Sequence, residues 1–106
     1  MTAAPAPEVF AALADPPRWR VLTLLAERGD GTATTLAGEL PVSRPAVIKH
    51  LAVLDRAGLV EARRQGREVR YTVRPERLDA TARRLAGLAA AWDARLAAIK
   101  RLAEEG

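Results

Sequence analysis

Hydrophobic positions in the first half of the chain recur at helical spacing, interrupted by turn residues. Val9, Phe10 and Leu13 fall on one face of a helix spanning Glu8 to Ala14. Asp15 then stands as an N-cap before Pro16, whose missing N–H costs nothing at the first helical position. The next helix carries Val21, Leu22 and Leu25 inward and stops at Gly29-Asp30-Gly31, a glycine pair suited to positive φ. Trp19 falls outside that inward set, and the pattern leaves it unassigned between core and surface. Thr34 or Thr35 caps a short helix with Leu36, Ala37 and Leu40, which Pro41 ends. Ser43 caps a fourth helix running through Ala46, Val47, Leu51 and Leu54 to Gly58, with Pro45 in its first turn. Two helices joined by about three residues cross steeply, which is helix-turn-helix geometry.

After Gly58 the period shortens from helical to alternating. Val60 and Ala62, then Val69, Tyr71 and Val73, predict two short strands with one apolar face. Arg64-Gln65-Gly66-Arg67 forms the hairpin tip between them. Pro75-Glu76 opens a long last helix in which Leu78, Leu85, Leu88, Trp92, Leu96, Ile99 and Leu102 make a continuous apolar stripe. So long a stripe exceeds what a small domain covers by itself, and a second copy of the chain is its natural cover. The fold class expected is mostly α with a small β-hairpin wing, a winged helix-turn-helix. Residues 1–7 read as a flexible leader and residues 8–106 as one domain, without internal repeat or linker.

Charge sharpens this picture. The chain has 106 residues and a formal net charge of +4. From Ser43 to Arg74, eight basic residues face three acidic ones, a net of +5, so the remainder sums to −1. A basic excess confined to the fourth helix and the hairpin points to a polyanion, and with a helix-turn-helix to double-stranded DNA. With Ala46, Val47, Leu51 and Leu54 inward, Arg44, Pro45, Ile48 and Lys49 turn outward, where a helix N-terminus can meet base edges and phosphates. Ser43 serves first as a cap and then as a phosphate contact, and His50 is expected packed or facing a phosphate. Arg63, Arg64, Gln65, Arg67 and Arg70 on the wing would follow the backbone or enter the minor groove. The same basic face also suits an acidic protein partner, a reading that a pulldown from nuclease-treated lysate would separate from DNA binding.

Other chemistry finds little footing. With no cysteine, thiolate zinc sites, disulfides and catalytic thiols are excluded. His50, the one histidine, has no recognisable Ser/His/Asp partners, and no glycine loop is built to cradle phosphates, so an enzyme is not expected. The absence of a signal-peptide pattern or an apolar span leads to an expectation of a soluble cytoplasmic protein without membrane contact.

Several stretches taken together resemble the ArsR/SmtB family of bacterial repressors. They are Leu13-Ala14-Asp15-Pro16-Pro17-Arg18, Leu36-Ala37 through Val42-Ser43-Arg44-Pro45-Ala46-Val47, His50-Leu51, Leu54, Ala57-Gly58-Leu59-Val60, and the hairpin with Gly66-Arg67 and Tyr71. The resemblance covers nearly the whole chain. It implies a homodimer built from the first and last helices, with Val9, Phe10, Leu13, Leu85, Leu88, Trp92, Leu96 and Ile99 at the interface. It also implies an imperfect palindrome near a promoter as the DNA target, with repression of the protein's own or a neighbouring gene. Many members of the family sense metal through cysteines in the helix-turn-helix, or through His and acidic ligands on the last helix. Here the last helix offers Asp79, Asp93, Glu104 and Glu105 without a histidine, which places the chain with the metal-independent branch and implies no metal and no cofactor.

Overall fold

Five helices and one hairpin follow one another in the computed structural model, which describes residues 6–105. They are α1 (Ala6–Leu13), α2 (Pro16–Arg28), α3 (Ala33–Glu39), α4 (Arg44–Arg56), β1 (Val60–Gln65), β2 (Glu68–Val73) and α5 (Pro75–Glu105). Helix α1 begins inside the stretch expected as a leader, and residues 1–5 lie outside the described residues.

Local chemistry sets the boundaries. Gly29 ends α2 at φ 90°, returning its N–H to the Leu25 carbonyl at 2.9 Å. The expected second positive φ is absent at Gly31, which is required for a different reason. A Cβ there would lie 3.2 Å from Cδ2 of the fully buried Leu36. Helix α3 is capped by neither Thr34 nor Thr35. Thr32 is the N-cap and forms a reciprocal box with Thr35, each side chain bonded to the other's backbone N–H. Ser43 does cap α4, its Oγ accepting from Ala46 N at 3.2 Å. Asp15 occupies the N-cap position of α2 without making a side-chain cap bond.

The core is one cluster drawn from α1 to β1. Val9, Val21, Leu25, Leu36, Val47, Leu51, Leu54, Leu59 and Val60 are fully buried, each such side chain contributing about 1.5–3 kcal/mol. Val9 therefore belongs to the protomer's own interior and has no surface left for a partner, unlike Phe10, which is 43% exposed on the same helix. Trp19 proves to be a surface residue, 52% exposed. Arg28 on α2 pairs with Glu39 on α3, tying the helix-turn-helix to its support.

The two strands pair antiparallel with Val60 opposite Val73 and Gln65 opposite Glu68, leaving Gly66-Arg67 as a two-residue turn with Gly66 at φ 63°. Arg64 and Gln65, expected in the tip, are thus strand residues. Only Val60 of β1 is buried and Ala62 is exposed, because the hairpin leaves the body after its first residue. Gly31 exchanges backbone hydrogen bonds with Tyr71 at 3.1 and 2.8 Å, fastening the wing to the α2–α3 connection.

Helix α5 contrasts with the rest. Leu78 packs against the core and Thr81 is buried, but Leu85, Leu88, Trp92, Leu96, Ile99 and Leu102 are 48–69% exposed. At 1.5 Å per residue its 31 residues extend about 46 Å, well beyond the body. No helix among the described residues is long and apolar enough to cross a membrane.

Candidate nucleic-acid interface

Helix α4 buries Val47, Leu51 and Leu54, so its 3.6-residue period turns Pro45, Ile48, Lys49, Ala52 and Arg56 outward. Its first turn is open to solvent: Ser43, Arg44 and Pro45 are all exposed. With Pro45 lacking an N–H, Ala46 N taken by the cap and Val47 N bonded to the Ser43 carbonyl, the N–H of Arg44 and the positive end of the helix dipole remain for an anion. Arg44 does not hang free. Its Nε donates to Thr34 Oγ1 at 2.9 Å, so α3 orients the guanidinium at the mouth of α4. No spacing rule links residues 34 and 44, and Thr34 was accordingly read only as a cap.

Strand alternation divides the wing residues between two faces. Arg64 shares a face with its cross-strand partner Val69 and with Tyr71. Val69, Tyr71 and Arg67 line a cleft of about 330 Å³ against Arg44, Ile48 and Thr34. Arg63, Gln65 and Arg70 lie on the opposite face, beside Asp30 and Thr72. Arg67 stands at the turn itself.

These cations also differ in what holds them. Among the described residues Lys49, Arg64 and Arg67 form no ion pair, while Arg63 sits 3.7 Å from Glu61 with both side chains exposed. Arg70 is flanked by Asp30 at 3.4 Å and Glu68 at 3.7 Å, which neutralise much of its charge locally. Exposed pairs of this kind are worth about 0–1 kcal/mol and yield readily to a phosphate. Arg44 and Arg67 thus face each other across one cleft, with Lys49 on the outward side of α4 and Arg64 on the cleft-side face of the wing, and none of the four is held in an ion pair among the described residues.

His50 does not line this cleft. Its side chain is 16% exposed, and Nδ1 lies 3.6 Å from Asp15 Oδ2 at the junction of α2 and α4. Three residues after Val47 and four before Leu54, it lies beside the core face, and its Nδ1 is turned to Asp15. Among the described residues no group of three or more His, Cys, Asp or Glu side chains is placed to hold a metal.

Residues 15–62, from the start of α2 to the start of the wing, match the family described as bacterial regulatory protein, arsR family. Among solved structures, the chain is similar to an ArsR-like transcriptional regulator from Rhodococcus sp. RHA1. The two are 51% identical with a TM-score of 0.81, over 91% of this chain and 90% of that one. It is similar also to a homodimeric winged helix-turn-helix DNA-binding domain from Mycobacterium bovis, 32% identical with a TM-score of 0.63, over 76% of this chain and 77% of that one. The transcriptional repressor SdpR of Bacillus subtilis is 35% identical over 65 residues, 61% of this chain and 71% of SdpR. The matched segments span between 50% and 71% of the curated relatives' own lengths. The relatives are regulators rather than enzymes, and their likeness extends through the same helix-turn-helix and wing that carry these unpaired cations. The chain belongs to the ArsR family, as a winged helix-turn-helix transcriptional regulator.

Proposed function

We propose that the protein is a homodimeric repressor that acts in the cytoplasm on a palindromic operator in double-stranded DNA, at its own or a neighbouring promoter. The observation that carries this reading is the set of unpaired cations on the exposed N-terminal half of α4 and on the wing, with Arg44 and Arg67 lining one cleft between them. Arg44, held by Thr34, and Lys49 read base edges in the major groove. Ser43 and the N–H of Arg44 meet phosphates, with Pro45 shaping that contact. Arg64 and Arg67 follow the flanking backbone, joined by Arg63 and Gln65 on the other face of the wing. Arg70 contributes less, being occupied by two carboxylates.

The exposed stripe of α5 supports the dimer: Leu85, Leu88, Trp92, Leu96 and Ile99, with Phe10 of α1, are large apolar side chains open at the surface, and the half-buried Leu13 follows Phe10 on α1. The naming of one structural relative as a homodimer agrees with this. A two-fold dimer presents two α4 helices, so hydroxyl-radical footprinting of the DNA upstream of the gene is the test. Two protected patches about one helical turn (~10 bp) apart are expected. One patch, or protection without symmetry, would contradict the proposal.

A further inference from the structure

Asp15 sits at the N-cap of α2 with extended backbone (φ −91°, ψ 116°), yet its carboxylate bonds to no helix N–H. It is turned the other way, to a polar chain that crosses three helices. Arg18 Nη1 donates to the carbonyls of Ala11 at 3.3 Å and Ala12 at 3.2 Å, groups at the open end of α1. Arg18 Nη2 lies 3.5 Å from Asp15 Oδ2, and the same oxygen lies 3.6 Å from His50 Nδ1 on α4. Both contacts are within ion-pairing range and longer than a hydrogen bond. His50 Nδ1 and Arg18 Nε are buried with no other partner among the described residues.

We infer that Asp15 is a positioning residue for DNA recognition, a single carboxylate that sets the orientation of the recognition helix α4 relative to α1. This rests on the dimeric, two-half-site reading above, because α1 is there part of the dimer surface and α4 is the part that reads DNA. Two half-sites one helical turn apart demand a defined distance and angle between the two copies of α4. The side chain of His50 moves with α4, and the backbone carbonyls held by Arg18 move with α1. A buried donor without an acceptor is unfavourable, so a small approach of α4 toward Asp15 is stabilised and a retreat is opposed. Asp15 touches no DNA in this arrangement and acts entirely through His50 and Arg18.

The test uses the full chain with Asp15→Asn, which keeps size and capping capacity, and with His50→Leu, His50→Gln and the Asp15→Asn/His50→Leu double variant. Binding is measured to the footprinted operator, to operators with the half-site spacing changed by one base pair, and to random DNA. Asp15→Asn and His50→Leu are each expected to weaken operator binding about tenfold and to flatten the spacing preference. The double variant is expected to be no weaker than either single one, since the two residues act as one unit. His50→Gln, which retains a donor, is expected to keep most of the affinity. Dimerisation and random-DNA binding are expected to stay as in the wild type, while the melting temperature falls for Asp15→Asn, which takes the carboxylate away from two buried donors. Multiplying losses in the double variant, equal loss on random DNA, or unchanged spacing preference would overturn the role of Asp15 alone. A wild type with no preference for the operator over random DNA would overturn both this inference and the function it rests on.

Discussion

Arg44 and Arg67 line one cleft, and the way each is held separates their roles. Arg44 is oriented by Thr34 at the mouth of α4, whereas Arg67 stands on a turn with no partner among the described residues. Arg44→Ala is expected to cost about 1–3 kcal/mol on the operator and much less on random DNA. Arg67→Ala is expected to weaken both alike and to reduce the salt slope by about one. Titrations on the two DNAs at several salt concentrations check both, and equal losses for Arg44→Ala would remove it from base reading. Gly31 offers a stability test at the same scale. Its Cβ would lie 3.2 Å from Cδ2 and 3.3 Å from Cγ of the fully buried Leu36, tighter than ordinary contact, so Gly31→Ala is expected to cost about 1–3 kcal/mol in a denaturant melt. The outward set on α4 was legible from helical period, and so in principle was the place of His50 beside the core face, flanked at three and four residues by Val47 and Leu54. The link from Asp15 and Arg18 on α2 to His50 on α4 and to the α1 carbonyls was not legible, because it joins three elements whose mutual placement no local spacing encodes.

Helices were the most legible elements, since proline, glycine and apolar period agree at each boundary. The start of α3 was the exception. Three threonines lie within four residues, and Thr32 takes the cap because its partner three positions on, Thr35, can return the bond as a Glu or Gln ordinarily would. A seven-residue helix cannot hold itself without such help. Thr32→Ala is therefore expected to cost about 0.5–2 kcal/mol, seen as a lower melting midpoint and faster amide exchange in α3; unchanged exchange would mean the box is idle. Alternation found both strands but not their register, which a two-residue turn at Gly66-Arg67 fixes. Register is what sends Arg64 toward the α4 cleft and Arg63, Gln65 and Arg70 away from it, so the wing residues could be named from sequence but not sorted.

At the scale of the whole molecule the chain measures 69 × 33 × 20 Å, an elongated shape produced by α5 reaching past the body. The apolar stripe that causes this was plain in the sequence, and its exposure in the protomer gives the dimer its physical motive. Val9 misled because the same apolar face of α1 serves two purposes, with Val9 and Ala12 turned to the core and Phe10 away from it. Leu88→Asp together with Trp92→Glu is expected to leave helix content intact while sedimentation shows monomer and operator affinity falls more than tenfold. A dimer that survived those charges would move the interface elsewhere. Whether the basic face binds a particular DNA sequence is measured by fluorescence anisotropy. Labelled DNA from the gene's upstream region and random DNA of equal length would be titrated at two salt concentrations. Tight, salt-sensitive binding that strongly favours the upstream DNA is expected; weak binding, equal on both DNAs, would show that the basic face does not recognise a sequence there.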